Sequence, residues 1–481
     1  MQLARLAKAF VFERLPCRVE SILKAIREAL PYLRRWGIRR STAAALLYLG
    51  RKVDANVDVS EVDYWAQVKS SPRPSFVGRW LEKWNFSEND VQTTKRINKA
   101  WAENPSRKIS EMVWIMPDFT NVYNGGPHTI LRFAHFFADL GIHSTIAVMR
   151  ATKHRSERSV RKSVLKAFPE SKNVDFLVYP FPKDLDVHEL PDSDVAVATV
   201  WFSAYPVLQY HRTKAKYYFV QDYEPLFYPA GPNYGLASAT YDFGFYCICN
   251  TEGVFRTVAK NHEIQGTYFT PAVDSRIFFP KQARDSFGKV FFYARPGVPR
   301  NGFELGIAGL RLMKNKYPDT EIFLAGHYRE NLGLDFDARV LGYLSYQETG
   351  ELYRNCDAGM AFMFTPHPSY IPLQMMACGC IVIATRNSAN DWLLKDGYNC
   401  VLCNSTPSSL LEAYTRLRED SDLRARLRNN GITTVAPLSW KEEMSKILAY
   451  MTGDRQTPMG TERVSVDAPK LDVGKPTAQE N

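Results

Sequence analysis

The chain has 481 residues, 45% apolar and 13% aromatic, enough for two domains with packed cores, and this excludes a globally disordered polymer. Its net charge of +10 is concentrated at one end, because residues 1–52 hold twelve Lys/Arg against three Glu. The remainder is close to neutral, which argues against a nucleic-acid surface and leaves no nucleic-acid partner expected.

No apolar run approaches the ~20 residues of a membrane span. The N-terminus alternates charges with apolar residues and does not read as a secretory signal. A cytoplasmic location is therefore expected. Eight cysteines are ordinary usage for a reduced compartment. Cys378, Cys380, Cys400 and Cys403 form C-x-C and C-x-x-C pairs. Their positions at a helix end and a strand start fit small buried thiols better than zinc ligands.

Residues 1–105 read as a basic helical extension. In RVESILKAIREALPYLRRWGIRR, Val19, Ile22, Leu23, Ile26 and Leu30 recur at helical spacing with Arg and Lys between them, until Pro31 interrupts. Two roles stay open for this segment. It packs on the protein with a solvated basic face, or residues 1–52 contact the anionic inner membrane face as a peripheral anchor.

From residue 106 to 265, short apolar strands alternate with helices, beginning with EMVWIMPDF and GGPHTILRFAHFFADLG. This pattern predicts a doubly wound, Rossmann-like parallel sheet covered on both faces. The first strand ends in Asp118, and NVYNGGPH supplies Asn121, Gly125 and Gly126 ahead of a helix. Glycines permit close backbone approach there, and a helix start offers free N–H donors. No G-x-G-x-x-G or P-loop pattern is present, against a dehydrogenase or a P-loop ATPase. The strand AKYYFVQDY ends in Asp222 and Glu224 before the aromatic, proline-rich YEPLFYPAGPNYG. Two carboxylates among rings at a strand's carboxyl end suit a sugar.

IQGTYFTPAVDSRIFFP, at 264–280, reads as an irregular link. A second doubly wound domain follows over 266–453, with strands at 289–295, 321–326, 338–344, 358–364 and 380–385. Two such domains form a cleft between the carboxyl ends of their sheets, where ligands of open α/β sheets bind. Arg295 and Arg300 bracket the loop RPGVPRN ahead of a helix, a candidate diphosphate clamp. PHPSYIPLQMMACGCIVIAT (366–385) places His367, Ser369 and Tyr370 before a second helix, with Gln374 in its first turns. Residues 454–481 are polar and aperiodic, and disorder is expected.

Several of these strings resemble glycosyltransferase family four. TPAVDSRIFFP is similar to its N-G-V-D-x-x-x-F-x-P hinge, and YARPGVPRNGFELGIAGL to its G-R-x-x-x-x-K-G loop, with Arg300 in the Lys place. ARVLGYLSYQETGELYRNCDAGM, MACGCIVIAT and WLLKDGYNCVL match further second-domain motifs. PDFTNVYNGGPHTILRFA, VQDYEPLFYPAG and PHPSYIPL look closest to bacterial surface-polysaccharide rhamnosyltransferases. The resemblance implies the two-domain B-type glycosyltransferase fold and transfer of L-rhamnose from thymidine-diphosphate rhamnose, with retention of configuration, to an oligosaccharide or lipid-linked glycan. It implies donor contacts from Arg295, Arg300, Asn301, Gly342, Tyr343, His367, Ser369, Tyr370 and Gln374. The arginines neutralise the leaving diphosphate, so no cofactor and no metal ion is expected. Asp118, Asn121, Gly125, Gly126, Asp222 and Glu224 are the acceptor-side candidates, and Asp222 and Glu224 join the arginines as catalytic candidates.

The chain departs from the family at its paired glutamates, which lie eight residues apart. Pro366 and Gln374 stand there instead. A glutamine in place of the ribose-binding glutamate costs on the order of 1–2 kcal/mol of nucleotide binding. Two rival readings are a nucleotide-sugar 2-epimerase of the same fold and a non-catalytic glycan- or nucleotide-binding assembly subunit.

Overall fold

A computed structural model describes residues 84–181, 183–281, 286–326 and 332–454. These residues belong to one compact unit spanning 81–481. The basic segment 1–52 and the tail 455–481 lie outside the described residues, as do the helix, the membrane contact and the disorder expected of them.

The first half runs α1 (Glu88–Glu103), β1 (Glu111–Pro117), α2 (Gly125–Asp139), β2 (His143–Ala151), α3 (Glu157–Val164), β3 (Val174–Pro180), β4 (Ser193–Ala198), α4 (Trp201–Gln209), β5 (Thr213–Val220), α5 (Pro232–Ala239), β6 (Tyr246–Asn250), α6 (Glu252–Asn261) and β7 (Gln265–Phe269). Its seven strands pair in parallel in the order β3-β2-β1-β4-β5-β6-β7. Alternation along β1 supplies both faces: Met112, Trp114 and Met116 enter one core, Val113 and Ile115 the other. Both faces are therefore covered, and each large side chain buried contributes about 1.5–3 kcal/mol.

The second half contains β8 (Lys289–Tyr293), α7 (Phe303–Lys316), β9 (Glu321–Ala325), β10 (Arg339–Gly342), α8 (Tyr346–Asn355), β11 (Ala358–Met360), α9 (Ile371–Ala377), β12 (Ile381–Thr385), β13 (Cys400–Cys403), α10 (Pro407–Glu419), α11 (Ser421–Val435) and α12 (Trp440–Thr452). Its strand order is β10-β9-β8-β11-β12-β13, again all parallel. The four cysteines of the paired motifs are free and buried, and burial pushes the Cys378, Cys400 and Cys403 thiols up to about 12.

Two features differ from the expected layout. The start of the segment read as an irregular link is the edge strand β7, so the first sheet runs through Phe269. Its Gly266 reads as punctuation, but a Cβ there would lie 2.1 Å from the Cys247 carbonyl oxygen, so the glycine serves close strand pairing. The final helix, α12, returns to the first core through Met444, Ile447 and Met451. The Trp101 indole of α1 donates to the Met451 carbonyl at 3.2 Å.

Candidate functional site

Strand order reverses between β1 and β4 in the first sheet and between β8 and β11 in the second. The loops leaving those strands border the crevice where ligands of such sheets bind. In the second half these loops are 294–302, carrying Arg295 and Arg300, and 361–370, carrying His367 and Ser369. Carboxylates at the end of β5 meet the second loop directly. The Asp222 carboxylate accepts from the Thr365 hydroxyl at 2.5 Å, from the His367 amide at 3.3 Å and from the Tyr223 amide at 2.8 Å. Both of its oxygens are thus engaged, and both tie the two halves together.

Glu224 is 2% exposed, and one of its oxygens, Oε2, accepts from the Trp201 amide at 2.6 Å. That amide opens α4, so the carboxylate lies at a helix N-terminus, which stabilises negative charge. Burial nevertheless pushes Glu224 up to about 8, with Asp222 adding repulsion and Arg300 pulling the other way. Burial also raises Asp222, to about 6.

Both groups bind protons more tightly in the folded chain than in the unfolded one, so folding takes up protons. Their contribution to stability is complete below the ordinary carboxylate range. It is lost as pH rises through about 6 for Asp222 and about 8 for Glu224. Glu224→Gln removes the larger effect. Its melting temperature is expected to fall less than that of wild type between pH 5 and 9, measured by calorimetric scans; parallel curves would show that Glu224 does not titrate there.

Arg300 lies 4.2 Å above the Phe227 ring, and burial lowers its guanidinium while Asp222 opposes that shift. Arg295 sits over Tyr293 at 5.8 Å. Behind them α7 begins at Gly302, whose φ of 58° is a left-handed conformation suited to glycine. A Cβ there would also lie 2.9 Å from Phe364. Two guanidiniums beside a helix start form an arrangement that takes a phosphate anion. Asn301 is buried, its amide nitrogen donates to the Met363 sulfur at 3.0 Å, and its carbonyl oxygen has no partner.

The His367 Nδ1 accepts from the Ser369 amide at 2.9 Å, which places the ring proton on Nε2. Nε2 is buried without a partner, and burial lowers the ring to about 3, so it is a neutral donor. Ser369 adopts φ 66°, an uncommon conformation for a residue with a side chain. Gly342 closes β10 with φ 77°, and the following Tyr343 is 57% exposed.

Other predicted residues are engaged within the protein. The Tyr370 hydroxyl lies 2.6 Å from the Thr129 hydroxyl and accepts from the Asn250 amide at 2.7 Å, both in the first half. Its ring fills the space beside Gly125, where a Cβ would approach to 3.2 Å. Gly126 faces open space. Burial pushes the Tyr346 hydroxyl up to about 12, and the Gln374 side chain acts on that hydroxyl in the opposite direction. Tyr346 in turn stacks on Tyr123 at 5.2 Å, and the Arg132 charge acts on its hydroxyl. Asp118 accepts from the His154 ring at 2.5 Å and from the Thr152 and Lys153 amides at 2.8 and 2.6 Å. Burial works to raise Asp118, but these donors hold it below the usual carboxylate range. Asn121 accepts from the Tyr123 amide at 3.1 Å and shapes the turn.

The sequence reading passed over Thr365, Trp201, Thr129, Asn250 and Tyr346. Trp201 directly follows a strand that flanks the reversal point, the one local signal that marks it. A further contact across the halves is made by α6, where a Cβ on Gly253 would fall 1.8 Å from the Ala389 carbonyl oxygen. Gly253→Ala is therefore expected to cost about 1–3 kcal/mol of stability, read by denaturant melts; an unchanged midpoint would contradict that contact.

Residues 288–415 match the family model described as WsaF, C-terminal domain. The O-antigen biosynthesis protein RfbC of Myxococcus xanthus is 39% identical over 388 residues, covering 79% of this chain and 30% of the relative. The chain thus spans about 30% of the length of the curated relatives it matches. Among solved structures, Anabaena HepE in complex with UDP-glucose superposes with a TM-score of 0.58 at 14% identity, covering 71% of this chain and 99% of that one. S. aureus TarM, in complex with fondaparinux, alpha-GlcNAc-glycerol and UDP, gives 0.57 at 9% identity, with 72% and 100% covered. Among the described residues no helix is long and apolar enough to cross a membrane, and no group of three or more His, Cys, Asp or Glu could hold a metal ion. The two parallel sheets with their crevice and these structural likenesses together establish the B-type glycosyltransferase fold.

Proposed function

We propose that this chain is a glycosyltransferase of polysaccharide synthesis that takes its sugar from a nucleotide diphosphate. The observation that carries the reading is Arg300, ahead of α7 with Arg295 beside it, acting on the buried carboxylates Asp222 and Glu224 of the opposite half. The names of its relatives fit this reading, RfbC as an O-antigen biosynthesis protein and HepE as a partner of UDP-glucose.

In the proposed reaction the arginines bind the diphosphate and neutralise the charge it gains on leaving. The bond from the sugar's anomeric carbon to the diphosphate breaks, and a bond to an acceptor oxygen forms on the same face. The acceptor proton passes to the leaving diphosphate. Glu224, with one oxygen held by Trp201, orients the acceptor hydroxyl. Asp222, fully engaged, fixes the 365–367 segment. His367 Nε2 donates to an oxygen of the donor.

The finer reading is L-rhamnose carried by thymidine diphosphate, resting on the rhamnosyltransferase-like strings. The nucleotide in the HepE and TarM structures is UDP, which favours uridine as the second reading. A thermal-stability screen of thymidine, uridine, guanosine and adenosine diphosphates, and then their sugars, separates the two. Thymidine diphosphate is expected to stabilise most, by about 2.7 kcal/mol at one hundred times its Kd. A larger shift with uridine diphosphate moves the donor class, and no shift with any of the four removes the donor site.

Gln374→Glu is expected to tighten the preferred diphosphate roughly fivefold to tenfold, because an ionised carboxylate accepts ribose hydroxyls with charge assistance. Titration calorimetry reads this directly. Unchanged affinity would mean that position 374 serves Tyr346 alone.

A further inference from the structure

Trp84 packs against Trp201, whose amide holds Glu224. Its ring meets Trp201 edge-on at 5.5 Å and lies 5.6 Å from Tyr205 and 6.2 Å from Phe202. The Arg150 guanidinium packs over Trp84 at 5.9 Å and over Phe202 at 5.4 Å. Arg150 holds φ 54°, a conformation of the kind retained where the surroundings enforce it. Just beyond, Phe86 packs on Phe243 at 4.7 Å, and Ser87 caps α1 with a reciprocal bond to Asp90. The segment entering the core is thus fixed from several sides.

Trp201 is the element this packing acts on. Its backbone amide holds Glu224 Oε2, and its indole donates to the Tyr228 hydroxyl at 2.9 Å. One residue therefore fixes both the carboxylate and a ring of the adjoining loop. A tryptophan pressed by an aromatic neighbour loses little further freedom when it makes such bonds.

We propose that Trp84 is a positioning residue of the reaction centre, which acts through Trp201 to fix Glu224 and Tyr228 against the acceptor. This inference rests on the proposed role of Glu224, and its test includes a readout that needs no turnover.

The groups that bear on Glu224 are Asp222 and Arg300, together with the Tyr218 and Tyr241 hydroxyls. None belongs to the segment that carries Trp84. Trp84→Ala leaves these groups in place but admits water behind Trp201, which lowers the cost of ionising Glu224. Melting temperature against pH, from 5 to 9, is measured on the full chain for wild type, Trp84→Ala and Trp84→Phe. The alanine variant is expected to move the alkaline loss of stability down by about one pH unit, and phenylalanine to restore it.

In the transfer reaction, Trp84→Ala is expected to lower kcat about tenfold with the donor KM within twofold, since the arginine loop is untouched. A uniform drop in stability with the pH curve unmoved, or a loss confined to KM, would overturn the proposal. Should the alanine variant fail to fold, Trp84→Val carries the same test, because it retains part of the apolar contact but is small enough to leave room for water behind Trp201. A wild type without turnover would defeat the glycosyltransferase reading while leaving the melting curves to decide the role of Trp84.

Discussion

The double variant Arg295→Ala/Arg300→Ala is expected to bind the preferred nucleoside diphosphate at least about a hundredfold more weakly than wild type. Each hydrogen bond to a charged group contributes about 1.5–3 kcal/mol, and two guanidiniums are removed together. Arg300 is the more exposed to this argument, because it is half-buried over Phe227 and burial already disfavours its charge. An incoming diphosphate adds negative charge beside a guanidinium that burial disfavours. The single Arg300→Ala variant should therefore lose more affinity than Arg295→Ala. Calorimetry checks both statements, and wild-type affinity in the double variant would remove the clamp.

Glu224→Gln is expected to lower the transfer rate by about tenfold or more, because a neutral amide holds the acceptor hydroxyl without the charge-assisted bond of the ionised carboxylate. Gln keeps the size of the side chain and an acceptor for the Trp201 amide, so folding should survive. In wild type the rate should climb with pH and level off above about 8, where Glu224 becomes ionised. In the variant that limb should vanish. Asp222→Asn offers the contrast. The carboxylate bonds of Asp222 run to Thr365, His367 and Tyr223, so its loss should act first on donor KM through a loosened loop. Single-turnover rates across pH 6–9 separate the two, and a pH limb that follows Asp222 instead would reverse the assignment.

These residues were visible in the sequence to different degrees. The second sheet was legible because its strands are short apolar runs bounded by glycine, proline and helix starts, as with KVFFYAR before RPGVPRN. Arg295, Asp222 and Glu224 are candidates because they follow strand ends, and Arg300 because it precedes a helix start. Their partners could not be seen. Asp222 and Thr365 are 143 positions apart, and Thr129 and Tyr370 are 241 apart. Hydrogen bonds over such separations leave no local pattern.

Asp118 shows the opposite failure. A carboxylate at a strand end reads as a ligand group, yet it closes on His154 and on backbone amides of the next loop. β7 was hidden by Gly266, whose role is packing, and the return of α12 to the first core by its distance along the chain. Gln374, picked out by the resemblance as a ribose position, has a protein partner in Tyr346. The position is thus a contact between second-domain elements beside a ring from the first half.

Sugar transfer from a nucleotide diphosphate must release that diphosphate, and the release can be measured. The full chain is incubated with thymidine-diphosphate rhamnose, and separately with uridine-diphosphate glucose, with and without a glycan acceptor. Released nucleotide and the fate of the sugar are both measured. The account predicts slow release of nucleoside diphosphate from one donor alone, faster release with acceptor, and loss of both in the Arg295→Ala/Arg300→Ala variant. Donors recovered intact under every condition, or converted to an epimer with the nucleotide still attached, would contradict it.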